Sequence, residues 1–149
     1  MPEPLPAVDT LEGVDVLDRS QADGSSVLVI GIGAMAHAAV HAGRLLADQG
    51  LATTVVSPVW ALPVPTALVK LAGDHDHVVC LEDGLVDGGI GSLIAQRCAE
   101  AGLAATVQTV GIPLSFLAHA SRGELLRSLR MRAEQVAADV LTQVARSGR

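Results

Sequence analysis

The residues with the most chemical potential stand together in LEDGLVDGGIGSLIAQ, Leu81 to Gln96. Glu82, Asp83 and Asp87 supply carboxylates, and Gly88, Gly89 and Gly91 remove side chains where a helix is expected to start. Backbone amides at a helix start attract an anion, and glycines let a phosphate or another backbone come close. The three acids oppose a phosphate and suit a cation, a helix N-terminus or a partner's arginine. Three readings follow from these residues: a structural turn, a contact for a partner, or a cradle for a small ligand.

Other candidate chemistry is weaker. GIGAMA, Gly31 to Ala36, partly matches a dinucleotide fingerprint, but Ala36 stands in place of the third glycine and Ser57, not an acid, closes the next strand. Tight strand-to-helix packing is the better reading. His37 and His41 are four apart on one helix face, a spacing that can bind zinc. No glutamate of the metalloprotease pattern and no third ligand accompany them, so solvated or helix-packed histidines are expected. His75 and His77 precede a strand and are expected to be exposed. Cys80 and Cys98 lack a metal or redox spacing and read as buried thiols of a reducing cytosol. No catalytic, cofactor-binding or metal-ligating residue is assigned.

The elements that must position these groups alternate regularly. At 149 residues the chain suits one domain. Half of it is hydrophobic with one Phe, one Trp and no Tyr, so the core must be aliphatic, as in parallel sheets buried on both faces. A net charge of -6 disfavours nucleic acid and anionic membrane as partners. No signal peptide is visible, and the longest apolar run, Val27 to Ala42, is broken by two glycines and two histidines. Residues 1–24 read as an extended lead-in in which Val14 to Leu17 can form a short strand, and residues 25–149 as the domain. Strands are expected at Val27–Gly33, Thr53–Trp60, His77–Asp83 and Ala105–Pro113. Helices are expected at Ala34–Gln49, after Pro63 and Pro65, at Gly89–Gly102, Ser121–Leu129 and Ala133–Arg146. Ser121 with Glu124 has the spacing of a capping box. This alternation implies βαβ units and a mostly parallel sheet covered on both faces, with ligands or partners at the carboxyl ends of the strands.

Three segments carry a resemblance: VLVIGIGAMAHAAVHAGRLLADQGLATTVVSPVWALP, VVCLEDGLVDGGIGS and VGIPLSFLAHASRGELL, in this order. From about Gly13 onward the chain resembles the C-terminal domain of the 1-deoxy-D-xylulose-5-phosphate synthases, in the transketolase-like, thiamine-diphosphate-dependent family. The glycine loop is shared with the wider family. HASRGELL, His119 to Leu126, points to the synthase branch rather than to 2-oxoacid dehydrogenase β subunits. The resemblance implies a three-layer α/β/α fold with about five strands, mostly parallel, one of them an antiparallel edge strand. It implies a homodimeric cytoplasmic enzyme that condenses pyruvate with glyceraldehyde 3-phosphate, its thiamine diphosphate and magnesium held by two other domains. This chain would then be a non-catalytic assembly domain, acting with thiamine-diphosphate-binding domains or a separate subunit. Its candidate contacts are Glu82, Asp83, Gly88, Gly89, Gly91, His119, Ser121 and Arg122. A bulky residue at Gly89 is expected to weaken association and leave the fold intact. The competing class is a stand-alone small-molecule or nucleotide-binding regulatory module. Departures from the synthase pattern are Ser57-Pro58-Val59 for an Asp-Pro-Arg-like turn, Leu129-Arg130-Met131 for Leu-Gly-Leu, and an uncharged Pro113 to Phe116. They fit a stand-alone protein better than an intact synthase.

Overall fold

The structure is a computed structural model that describes residues 3–112 and 130–148. Its elements are β1 (Asp9–Leu11), β2 (Val14–Ser20), β3 (Ser26–Gly31), α1 (Ala36–Asp48), β4 (Ala52–Pro58), α2 (Thr66–Gly73), β5 (His77–Leu85), α3 (Ile90–Glu100), β6 (Thr106–Ile112) and α4 (Ala133–Ser147). The helix expected at Ser121–Leu129, with His119, Ser121 and Arg122, lies outside the described residues.

The strands form one sheet in the order β1-β2-β4-β3-β5-β6. β4, β3, β5 and β6 pair in parallel, and β2 pairs antiparallel with both β1 and β4. Alternate residues of β3 show why its run is unbroken in hydrophobicity. Val27 and Val29 enter the core beneath α1 and α4, whereas Leu28 and Ile30 enter the core with Leu68 of α2 and Ile94 of α3. A strand buried on both faces has no position left for a polar residue. The result is the α/β/α layering that the element order implied.

The sheet holds six strands, one more than the expected five or so. The addition is β1, and it displaces the antiparallel strand from the edge. The turn Leu11-Glu12-Gly13-Val14 explains it. Glu12 and Gly13 have φ of 27° and 87°, a two-residue connection that folds β1 back onto β2. Strands therefore occur within the residues read as a lead-in, and Val14 and Val16 are fully buried. The sheet thus crosses the boundary expected after residue 24. Alternation along β2 puts Leu17 on the α1 side while Val14 and Val16 face α2, and a register shift between Val16 and Asp18 keeps Asp18 on the α1 side, where Arg44 reaches it.

At Gly31 an added Cβ would stand 2.7 Å from the Ala39 Cβ and 2.8 Å from the Ala36 Cα. Gly31 thus lets α1 close onto β3, whereas Gly33 has open space around it and supplies a left-handed φ of 54°. His75 corrects its expected exposure. It is half-buried, its Nδ1 lies 2.6 Å from the Leu71 carbonyl oxygen and its Nε2 lies 2.9 Å from Thr54 Oγ1. His77, also half-buried, opens β5. Folding α2 against β4 brings polar partners to a ring that the local sequence leaves looking solvated.

Candidate functional site

β5 carries Glu82 to the carboxyl edge of the sheet, where its pairing with β6 is interrupted between Leu81 and Leu85. The interruption frees the chain to turn toward α3. The Glu82 side chain does not follow the turn outward. It is 5% exposed, its Oε2 accepts the Ile90 N–H at 2.9 Å and its Oε1 accepts the Gly91 N–H at 3.0 Å. These amides belong to the first turn of α3, whose N-cap, Gly89, has no side chain to offer. The Glu82 carboxylate, seven residues before the N-cap, performs the capping instead. Burying its charge is tolerable because two amides and the positive end of the helix dipole face it.

The glycines make room for that carboxylate. A Cβ at Gly89 would collide with the Leu85 carbonyl oxygen and with Glu82 Oε1. One at Gly91 would lie 3.0 Å from Thr109 Cγ2 and 3.3 Å from Glu82 Oε1. Gly88 has another role. Its φ is 76° with open space around it, so it supplies the left-handed residue of the turn. The turn is closed by the Val86 N–H donating to the Ile112 carbonyl at 2.9 Å and by Ser92 Oγ donating to the Val86 carbonyl. Asp83 and Asp87 are exposed on its outer side.

The structure therefore separates residues that the sequence grouped. Glu82, Gly89 and Gly91 form an inner, self-satisfied junction. Asp83, Asp87 and Gly88 form its outer surface, and His119, Ser121 and Arg122 lie outside the described residues. Gly111 was missed. A Cβ there would stand 2.9 Å from the Gly84 carbonyl oxygen and 3.4 Å from Glu82 Cγ, so β6 also shapes the pocket around the carboxylate. A glycine inside an otherwise β-branched strand was the available signal.

Chemically the junction is an anion site that the chain fills with its own anion. A phosphate cannot share the place with Glu82. Cys80, two residues before it, is fully buried, and burial first and the Glu82 charge second push its thiol far above the ordinary range. Burial likewise raises the Cys98 thiol. Such thiols are poor nucleophiles. His37 and His41 are exposed, and His41 Nδ1 lies 4.0 Å from Glu134 Oε1. Among the described residues no three His, Cys, Asp or Glu side chains gather as metal ligands. The anion cradle at the start of α3, already filled by Glu82, does not fit a diphosphate.

Residues 18–136 match the family described as Transketolase, C-terminal domain. The chain belongs to that family. It is 42% identical over 141 residues to a 1-deoxy-D-xylulose-5-phosphate synthase of Renibacterium salmoninarum, covering 93% of this chain and 22% of the relative. It is 45% identical over 137 residues to 1-deoxy-D-xylulose-5-phosphate synthase 2 of Kitasatospora griseola, covering 89% and 22%. The chain thus spans about a fifth of the length of these curated relatives. Among solved structures it is similar to a split gene transketolase described as an inactive beta4 tetramer, with a TM-score of 0.78 and 24% identity over 96% of this chain and 46% of that one. It is also similar to a transketolase mutant of Pichia stipitis, with a TM-score of 0.62 and 19% identity over 90% of this chain and 18% of that one. At these identities the two structures speak for the fold. Among the described residues of this transketolase C-terminal domain no helix is long and apolar enough to cross a membrane.

Proposed function

We propose that this chain is the non-catalytic, C-terminal assembly domain of a 1-deoxy-D-xylulose-5-phosphate synthase-like transferase. In the complete cytoplasmic enzyme, a homodimer, thiamine-diphosphate-binding domains hold the cofactor and magnesium. That enzyme joins pyruvate to glyceraldehyde 3-phosphate with release of carbon dioxide. This domain supports the others through the carboxyl edge of its sheet, with Asp83, Asp87 and Gly88 on the outer face of the glycine turn and His119, Ser121 and Arg122 as further contacts. The similarity to synthases along nearly the whole chain supports the class of enzyme. The observation that carries the assembly role is the Glu82 carboxylate seated on the Ile90 and Gly91 amides. A helix start already holding an anion makes a rigid shoulder and not a nucleotide cradle, which counts against the stand-alone regulatory module.

The test is a chimera in which this chain replaces the matching segment of the Renibacterium salmoninarum synthase. The chimera is expected to release carbon dioxide from pyruvate when glyceraldehyde 3-phosphate is present. The isolated chain is expected to release none and to give no calorimetric heat with thiamine diphosphate and magnesium or with ATP. Turnover or saturable heat from the isolated chain overturns the proposal. So does a folded chimera that binds thiamine diphosphate and turns over no pyruvate.

A further inference from the structure

Three of the exposed large apolar side chains among the described residues stand almost consecutively, just beyond β4. Val59 is 59% exposed, Trp60 49% and Leu62 58%. Water-facing valine, tryptophan and leucine in one short segment are unfavourable unless something covers them. The segment is held firmly. The Val59 N–H donates to the Gly13 carbonyl at 2.8 Å, and the Trp60 ring lies against Gly13, where a Cβ would collide with it. The turn beneath it places Glu12 and Gly13 at φ of 27° and 87°, left-handed backbone that is costly for glutamate. The indole is thus supported on one side and open on the other. An aromatic ring already fixed in place loses little entropy on binding, which is the character of an interface anchor.

The chemistry of the surroundings selects the occupant. A second copy fits poorly, because the chain carries a net charge of -6 and the turn under the indole bears Glu12, with Asp15 two positions beyond Gly13. Two copies meeting here would bring those acids together. Three side chains also offer far less than the roughly 800 Å² per partner of a stable free-standing interface. A surface this small holds a partner that is tethered to it, where the effective concentration is high. The synthase relatives carry the matching segment on a polypeptide of which it is only 22%.

We infer that Val59, Trp60 and Leu62 dock this domain onto the thiamine-diphosphate-binding part of the enzyme, against an apolar pocket with a basic rim facing Glu12. The inference rests on the function proposed above, and its test separates the two. Hydrogen exchange of the Trp60–Leu62 amides is measured in the isolated chain and in the chimera. Exchange at least tenfold slower in the chimera is expected. Leu62→Ser and Val59→Ser are expected to lower the melting temperature of the chimera by about 3 °C or more and to leave that of the isolated chain unchanged. Equal exchange in an active chimera removes the docking surface and leaves the function standing. Slowed exchange in an inactive chimera keeps the surface and removes the proposed chemistry. Variants that destabilise the isolated chain as much as the chimera assign these side chains to internal packing and overturn the inference. A dimer of the isolated chain, lost on Leu62→Ser in sedimentation, makes a second copy the occupant and overturns it too.

Discussion

Oε1 of Glu82 accepts the backbone N–H of Gly91 at 3.0 Å, tying the end of β5 to the first turn of α3. With the Ile90 amide on Oε2, the carboxylate answers two of the donors that a helix start leaves unpaired. Glu82→Ala strands both in a buried place. The expected loss is about 3 kcal/mol, since hydrogen bonds to charged groups contribute more than neutral ones and orphaned donors add a cost. Glu82→Gln keeps an acceptor and the shape, so its loss should be smaller but measurable. Urea unfolding of the three proteins checks this. Equal stability of wild type and Glu82→Gln would show that the charge is unused.

Two neighbouring glycines should respond differently to the same methyl group. Gly89→Ala drives a Cβ into the Leu85 carbonyl and the Glu82 carboxylate, so it displaces the cap and costs about 1–3 kcal/mol through overpacking. Its φ of -80° suits any residue, so none of that cost is backbone strain. Gly88→Ala meets open space but must hold a φ of 76°, for a cost of about 1 kcal/mol. Ile90 and Gly91 amide exchange should quicken only for Gly89→Ala. A substitution at Gly89 therefore harms the turn itself, contrary to the expectation that it would spare the fold.

At the opposite edge of the sheet, Asp76 Oδ2 accepts the Ser26 N–H at 2.9 Å and the Ser26 hydroxyl at 3.1 Å. Those bonds, the backbone one first, hold its carboxyl below the usual range, helped by His77 and His75. A depressed folded value stabilises above the unfolded value of about 3.9 and loses that contribution as pH falls through the lower folded value. Wild type should therefore exceed Asp76→Asn in stability at about pH 6, with the gap closing between about pH 4 and 2. Asp76 is exposed, so screening keeps the difference under about 1 kcal/mol. Denaturant midpoints across that range decide it, and a gap that widens in acid would contradict the assignment.

Arg130 stands where the synthase pattern has glycine, and its φ is 56°. The backbone explains the glycine of that pattern, and the Arg130 guanidinium answers with two bonds to Asp139, at 2.9 and 3.2 Å. Both partners are exposed enough for solvent to weaken the pair. Arg130→Gly should leave the melting temperature unchanged or raise it by a few degrees, and Asp139→Asn should lower it slightly. A marked fall on Arg130→Gly would show that the ion pair outweighs the strain.

Much of the fold was legible because periodicity and punctuation are local. Val27 to Ile30 could be buried only on both faces, and Gly50 and Gly102 marked helix ends with left-handed backbone. β1 was missed although Glu12-Gly13 is a two-residue turn, because Asp9–Leu11 is too short and too exposed to show alternation. His75 looked solvated because its partners, Thr54 and Leu71, come from β4 and α2.

The sequence by itself determined the α/β class, the aliphatic two-faced core and, through its motifs, the transketolase C-terminal family. It also put the glycine turn beside an acid. Only the tertiary structure decided what that acid faces. Whether Glu82 points outward or back onto the start of α3 depends on the break in the β5–β6 pairing and on the space left at Gly89, Gly91 and Gly111. Those residues converge from two strands and a helix. Their meeting is a property of packing, and no local pattern in the chain encodes it.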